Sequence, residues 1–443
     1  RQEADRWRAE GLIDNDFYDR LAERYRFDEL ESEASGTFIT VLIGLGSVLI
    51  GLGILSFVAA NWQYLDKVAR IAVLLTALLT VNTGGFYLWQ RANSRRIGQG
   101  LLLLGAMILG ADLALLAQLF QISGDAFILF MGWSIGVLLM AYALGLTSLG
   151  TMAIALMGCG YWGAASVGID AREIAPVWAQ WLYVYMPICA VILFLPLAYR
   201  CRSPLIFLLG AIAWLSSFQF AATEYTFSSG GVDRPAVVLG CSLPLLIFWA
   251  MGRLQEQFAN SAYRQRFAHL GQRLAVGSGG LTCFVLSLDY FISDVLRLRP
   301  NNSNFADVWD LDRLLFLGVA ILLWILLVRH VSRWQSNDWL MLLLGLSIAG
   351  LLTAAGLMGN GSWLPAMFFL LLAAITLICI RTSLQTADRG AFYFGWLLLV
   401  VRILTWFTFT QTDLMLKSLL FILSGAVTIL MGLWFERRLQ QSR

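Results

Sequence analysis

The sequence predicts an all-α, polytopic integral membrane helix bundle of about fourteen transmembrane helices, with both termini cytoplasmic and a small cytoplasmic helical hairpin at the N-terminus. The composition predicts this class, because the 443 residues are 59% hydrophobic and only 13% charged. An ordinary soluble domain has about 25% charged residues. So much apolar surface has to face lipid, which excludes a soluble enzyme and a disordered chain.

The hairpin occupies residues 1–36, the only sizeable soluble segment. Asp14 is a good helix N-cap, and Phe17, Leu21 and Tyr25 follow at helical spacing on one face. Gly11 separates this helix from the preceding half, which holds Trp7. The apolar edge either covers the membrane surface or docks a cytoplasmic protein through residues 1–35, and the sequence leaves both open.

Apolar runs long enough to cross a bilayer recur from residue 37 to the end of the chain. A spanning helix needs about 20 apolar residues, because it rises about 1.5 Å per residue through about 30 Å of hydrocarbon. We predict that residues 37–443 form the transmembrane bundle. The predicted spans are 37–60, 69–90, 99–119, 127–146, 148–166, 178–199, 204–222, 235–251, 274–296, 311–329, 339–358, 363–380, 391–409 and 413–435.

The basic residues predict the orientation, because Lys and Arg are retained on the cytoplasmic side. With the N-terminus inside, most of the 31 Lys and Arg residues fall in cytoplasmic segments. Those that fall outside are Lys67, Arg70, Arg172, Arg234, Arg297, Arg299 and Arg313. With a wrong number of spans, the basic residues would be divided more evenly between the cytoplasmic and the outer segments.

Motifs in the first 150 residues resemble a bacterial family of predicted polytopic membrane proteins of unknown function, which is defined by this N-terminal region. The motifs are Trp7 with Gly11-Leu12-Ile13, the Gly-rich span 44-GLGSVLIGLG-53 that ends in 59-AANW-62, and 118-QLFQISGD-125. The family has no established activity to carry over. The resemblance implies a multi-pass protein of the bacterial inner membrane that begins with the hairpin.

Three charged residues lie deep in predicted spans that run from inside to outside: Asp112, Asp289 and Arg402. Their depths are about 20, 22 and 16 Å from the inner end, so they could meet. Because a lone guanidinium near the midplane is costly, we expect Arg402 to pair with Asp112, Asp289 or both. The cluster either fixes the helix register or couples transport to protons, and the sequence leaves both open.

Other polar residues are candidates for the lining of a pathway: Asn82, Gln118 and Lys417. Asn82 lies with Thr80 and Thr83 before the paired glycines Gly84 and Gly85. Such groups can hydrogen-bond across helices, so helix packing is preferred to substrate binding here.

A four-span repeat is suggested by the similar starts of the spans at 99–119, 204–222 and 339–358. The matching strings are 102-LLLG-105, 207-FLLG-210 and 342-LLLG-345. Many transporters are built from such repeats, although Leu and Gly are frequent enough here for chance matches.

We expect a secondary transporter-like or flippase-like carrier of a small molecule or lipid, because the bundle is large enough for a central cavity. The alternative is a non-catalytic membrane scaffold or sensor that docks a cytoplasmic partner. We expect no enzyme, because no catalytic constellation is present, and no metal or cofactor, because the six cysteines and two histidines are dispersed. A net charge of +3 predicts no nucleic-acid partner.

Overall fold

The computed structural model describes residues 66–91, 94–122, 124–167, 175–228, 234–257, 262–288, 311–329, 336–358, 363–386, 389–409 and 414–441, with some separate positions before residue 57. These residues form fourteen helices and no strand. The predicted first span at 37–60 and most of the hairpin lie outside the described residues. Within the hairpin, Gly11 has a φ of +71° and the Tyr18 N–H donates to the Asp14 carbonyl. The hairpin itself stays a prediction.

The chain divides into two compact units, one up to Gln180 and one from Trp181 onwards. The first unit holds four helices with described ends: α1 (Lys67–Gln90), α2 (Arg95–Leu119), α3 (Ala126–Leu144) and α4 (Thr147–Val167). The short helix α5 (Val177–Val184) runs across the boundary.

Close helix approach at glycines holds the first unit together. A Cβ on Gly98 of α2 would lie 2.2 Å from the backbone nitrogen of Trp89 in α1, so only glycine fits there. Gly110 lies against the indole of Trp133 in α3, and the Nε1–H of that indole donates to the Ala106 carbonyl at 2.7 Å. The small residues in these apolar runs therefore mark contacts between helices, as they do in other membrane bundles.

The second unit contains nine helices with described ends. They are α6 (Met186–Cys201), α7 (Pro204–Ser228), α8 (Arg234–Gln257), α9 (Ala262–Leu286), α10 (Leu311–Val328), α11 (Ser336–Met358), α12 (Leu364–Thr386), α13 (Arg389–Phe409) and α14 (Leu414–Gln441).

Helix α8 is the centre of the second unit. It packs against α7, α9, α10 and α11, and most of its apolar part is buried. Trp214 and Phe218 of α7, Phe248 of α8 and Phe316 of α10 form an aromatic cluster, in which the ring centroids of Trp214 lie 5.0 to 5.5 Å from the other three. By contrast, α14 buries little of its apolar surface inside the unit.

The predicted span at 178–199 is broken. Helices α5 and α6 meet at Tyr185 with a bend of 85°. Pro187 stands in the first turn of α6, where it has no N–H with which to continue the helix from α5. A broken span of this kind is common in transporters and is tolerated where neighbouring protein covers the backbone.

The helical membrane architecture is confirmed for the described residues. Eight of their helices are long and apolar enough to cross a membrane, or nine if the bent pair is one span. The eight are α1, α2, α3, α7, α8, α11, α12 and α14, and the described apolar part of α10 is shorter. The number of fourteen spans and the cytoplasmic location of both termini stay predictions.

The helix at the predicted ninth span, 274–296, has other bounds than that span. The helix α9 runs from Ala262 to Leu286, so it begins and ends earlier than its hydropathy indicates. Its first turns carry Arg264, Arg266 and Arg273, which lower the local hydropathy without interrupting a helix. Asp289, which we expected within this span, comes after the end of α9 and lies outside the described residues.

Candidate functional site

The second unit contains an apolar cavity of about 400 Å³ between α6, α7, α8 and α10. Its volume lies within the usual range for ligand pockets. Phe194, Ala211, Trp214, Phe248, Phe316 and Val319 are among its lining residues. No ionisable side chain is found among the described residues that line it. The site therefore suits an apolar molecule or a lipid chain.

Two of the helices that line the cavity, α7 and α8, are long and apolar enough to cross a membrane. The lining residues on α7 begin at Phe207 and end at Trp214, which places them about 5 to 15 Å from Pro204 at the start of that helix. On α8 they lie between Ile247 and Met251, about 9 to 15 Å from the helix end at Gln257. The lining residues on these two helices therefore lie well inside the helices rather than at their ends.

Trp214 is the residue of this lining whose side chain carries an N–H group. It is 4% exposed, stacks on Phe218 and meets Phe248 and Phe316 edge to face. No described residue accepts a hydrogen bond from its buried indole N–H. Buried polar groups are nearly always paired, so an unpaired donor at this position is unusual.

A buried ion pair joins α8, which lines the cavity, to α11. Arg253 of α8 donates from Nε to Oδ1 of Asp338 at 2.8 Å and from Nη2 to Oδ2 at 3.0 Å. The indole Nε1–H of Trp249 donates to the same Oδ1 at 2.9 Å. Asp338 is fully buried in the first turn of α11, where the positive end of the helix dipole also stabilises its charge.

Further hydrogen bonds extend the ion pair into a small polar network around Arg253. Arg253 donates from Nη1 to Oε2 of Glu256, and Gln272 of α9 donates to the same oxygen, both at 2.7 Å. The network links α8, α9 and α11 by hydrogen bonds. Met251 in the cavity wall is two residues from Arg253, so the network lies near the cavity along α8.

The sequence did not lead us to predict this network. We expected the eighth span to end at residue 251, which left Arg253 in a cytoplasmic loop, and Asp338 was not singled out. The helix in fact continues to Gln257. The available signal was Trp249 and Arg253 at a spacing of four, which places a donor pair on one helix face.

Arg402 of α13 is buried, as expected, and has a partner that the sequence did not suggest. It donates from Nε to the hydroxyl of Ser287 and from Nη2 to the carbonyl of the same residue, both at 2.6 Å. Ser287 follows the last residue of α9, so the guanidinium lies at the negative end of that helix dipole. The Phe369 ring is also near, with its centroid 5.7 Å from the guanidinium carbon.

Asp112 of α2 is 5% exposed, and its Oδ2 has no hydrogen-bond partner among the described residues. It belongs to the first unit, whereas Arg402 belongs to the second. The expected pairing of Arg402 with Asp112 or Asp289 therefore stays a prediction.

The three candidate lining residues lie on different helices. Asn82 donates from Nδ2 to the Leu78 carbonyl of its own helix and faces Gly105 of α2, where a Cβ would lie 2.5 Å from its Oδ1. Gln118 is exposed near the end of α2, and Lys417 is half-buried near the start of α14. The structure leaves their role as a polar lining a prediction.

Among the described residues, Thr80 and Thr83 form no hydrogen bond to another helix. Each donates at 2.6 Å to a carbonyl four residues earlier in α1. Such back-bonding satisfies a hydroxyl in lipid without another helix. Gly85, by contrast, does lie close to Leu102 of α2.

The glycines of the three repeat strings share one property. A Cβ on Gly105, Gly210 or Gly345 would lie within 3 Å of a side chain on a neighbouring helix. The neighbours are Asn82, Phe194 and Leu246 respectively. These positions are therefore helix contacts, and the repeat itself stays a prediction.

One comparison with known proteins finds a similarity over the first third of the chain. Residues 5–150 match the model of a family described as "Predicted membrane protein (DUF2157)". This is the region that carries the resemblance, and the match supports a membrane protein family of unknown function. No curated protein and no solved structure matches the chain.

Proposed function

We propose that this membrane protein is a flippase-like carrier that takes a lipid-like molecule into the second unit, rather than a carrier of a polar solute. The observation that carries the proposal is the apolar cavity of about 400 Å³. A polar solute in such a site would lose its hydrogen bonds to water without replacement, which costs about 2 to 7 kcal/mol per group. A lipid chain loses nothing comparable.

The broken span supports movement next to this cavity. Helix α6, which follows the 85° bend, contributes Phe194 and several further residues to the lining. It also contains Pro196, and the facing helix α8 contains Pro244. Proline removes a helical hydrogen bond and lets a helix bend, so two walls of the cavity can change shape.

The test is movement of lipid between the leaflets of reconstituted vesicles. We would use two dye-labelled acyl lipids with the same chains, one with an uncharged hexosyl head and one with a phosphocholine head. We expect the protein to accelerate at least one of them over protein-free vesicles. Equal rates with and without protein, for both lipids, would overturn the proposal.

A matched pair of variants on α7 links that activity to the cavity. Ala211 lines the cavity, whereas Ala213 is half-buried two residues away and does not line it. We expect Ala211→Phe to remove the acceleration and Ala213→Phe to keep it. The alternative role, a scaffold that docks a partner through residues 1–35, would leave both variants inactive in this assay and both able to bind the partner.

A further inference from the structure

We infer that the cargo is an anionic lipid, whose phosphate is bound outside the cavity by Arg202 and Arg264 while an acyl chain enters the cavity. The inference rests on the proposed function for the cavity as the cargo site, and it adds the chemical class of the cargo. It starts from these two exposed arginines, which lie at the end of the second unit where α6 ends and α9 begins.

Aromatic side chains bring the two arginines to the same place. The guanidinium carbon of Arg202, which follows the last residue of α6, lies 5.6 Å from the ring centroid of Tyr263 in the first turn of α9. Arg264 follows Tyr263 and is near enough to act electrostatically on the hydroxyl of Tyr199, in the last turn of α6. Two positive charges from different helices therefore lie beside the same two tyrosines.

Neither arginine forms an ion pair with a described residue. The carboxylate that follows in the same part of α8, Glu256, already accepts from Arg253 and Gln272. The first turn of α9 contains no acidic residue, although the positive end of its dipole favours one and disfavours a basic side chain. Helix stability therefore does not explain Arg264, whereas a bound anion would compensate both the dipole and the two guanidinium groups.

A row of aromatic rings connects the arginines to the cavity. Phe207 lines the cavity, and its ring stacks on that of Phe267 in α9. Phe267 in turn meets Tyr263, next to Arg202. The successive separations are 5.1, 6.0 and 5.6 Å from the ring of Phe207 to the guanidinium carbon. One acyl chain covers about 15 Å, half of the hydrocarbon core, so a single lipid can reach both places.

The exposure of the arginines suits a charged head group. A phosphate beside them stays in contact with water, so it avoids the large cost of burying a charge in the apolar cavity. Arginine also matches phosphate geometrically, because its guanidinium can donate two parallel hydrogen bonds. Basic clusters at the ends of membrane helices bind anionic lipid heads in this way. An uncharged lipid would gain nothing from this end of the unit.

Two photoactivatable lipids test this assignment on the whole protein in detergent. Both carry a diazirine and an alkyne on the same acyl chain; one is a phosphatidate and the other the corresponding diacylglycerol. We expect the phosphatidate to label α7 and α10 several-fold more strongly, as mapped by mass spectrometry of the cross-linked peptides. High salt should remove most of this excess, because the arginines are exposed. Equal labelling by the two lipids at low salt would overturn the inference.

Variants locate the head group. We expect Arg202→Gln/Arg264→Gln to lower phosphatidate labelling about tenfold and to leave diacylglycerol labelling unchanged. The double variant with lysine at both positions keeps the charges and should retain most of the labelling. Arg381→Gln is the control, because this exposed arginine belongs to α12, of which no described residue lines the cavity. Wild-type labelling of the glutamine double variant, or an equal loss in Arg381→Gln, would contradict the assignment.

Inorganic phosphate distinguishes a lipid site from a site for the free anion. We expect a short-chain phosphatidate to displace the probe, and inorganic phosphate at the same concentration not to displace it, because the free anion has no chain for the cavity. Equal displacement by both would mean that the arginines bind phosphate rather than a lipid.

The two proposals fail separately. If the phosphatidate labels the cavity helices as expected but no lipid moves across vesicles, the carrier function is wrong and the cargo assignment stands. If lipid movement is accelerated but the glutamine double variant is labelled like the wild type, the assignment is wrong and the carrier function stands.

Discussion

Arg253 and Asp338, 85 residues apart in the sequence, form a two-pronged ion pair inside the second unit, with nitrogen–oxygen distances of 2.8 and 3.0 Å. Both oxygens of the carboxylate accept from one guanidinium, and Trp249 adds a third bond. Taking two charges out of water is costly, and a planar pair with further hydrogen bonds is the geometry that best offsets that cost. We infer that the pair holds α11 against α8.

Removing one member of this pair leaves a buried charge without its partner. We expect Asp338→Leu to lower the free energy of unfolding by about 3 kcal/mol or more, measured by thermal or denaturant unfolding in detergent. The double variant Arg253→Met/Asp338→Leu should be more stable than the single one, because no fully buried charge is then left without its partner. Additive losses in the double variant would contradict this.

Glu256→Gln serves as the control for the Asp338 variant. The Glu256 side chain is 37% exposed, although it pairs with the same guanidinium. Because partly exposed ion pairs contribute about 0 to 1 kcal/mol, we expect a small effect. A loss as large as that of Asp338→Leu would show that burial does not decide the contribution.

Two glycines of α2 allow the effect of a close helix contact on stability to be compared with the effect of helix propensity alone. Gly98 lies against the backbone of Trp89, whereas Gly100 has open space where a Cβ would stand. We expect Gly98→Ala to destabilise the first unit by more than about 1 kcal/mol through a steric clash, while Gly100→Ala is neutral or stabilises it. Unfolding of both variants measures the difference, and equal effects would refute the close approach of α1 and α2.

The intramembrane charges give a third prediction. Ser287→Ala removes the hydroxyl that accepts from Arg402 but keeps the carbonyl, so we expect the free energy of unfolding to fall by about 1 to 2 kcal/mol.

The expected pairing of Arg402 with Asp112 predicts a coupling energy above about 1 kcal/mol in a double-mutant cycle of Arg402→Met and Asp112→Asn. If the losses of stability in the Arg402→Met and Asp112→Asn variants add within error, that pairing is ruled out.

The orientation of the spans is tested by reporter fusions. With all predicted spans crossing, residue 92 is cytoplasmic and residue 172 is outside, because α2, α3 and α4 lie between them. A fluorescent protein should therefore be active when fused after residue 92, and alkaline phosphatase after residue 172. The same location for both would mean that α4, which is not among the eight strongly apolar helices, does not cross.

Hydropathy alone predicted most of the helices. Every predicted span after the first has a helix at its position, because a run of apolar residues in lipid can satisfy its backbone only as a helix. The break at Pro187 was missed because one proline hardly changes an average over 20 residues. The early start of α9 was missed because three arginines lower that average without interrupting the helix. Such local details need knowledge of the neighbouring helices.

The candidate site was less predictable for a physical reason. The burial of Arg402 follows from its place in an apolar run, but its partner Ser287 and the pair of Arg253 with Asp338 depend on how distant helices pack. The cavity depends on packing too, because its lining residues are ordinary apolar side chains. Nothing in their local pattern distinguishes a cavity wall from a filled core.

Native mass spectrometry of the purified protein tests most directly whether a lipid occupies this cavity. Our account predicts one tightly bound lipid on the wild-type protein and on Ala213→Phe, and none on Ala211→Phe, whose new ring fills the space. The same bound mass on all three proteins, or no retained lipid on the wild type, would contradict it.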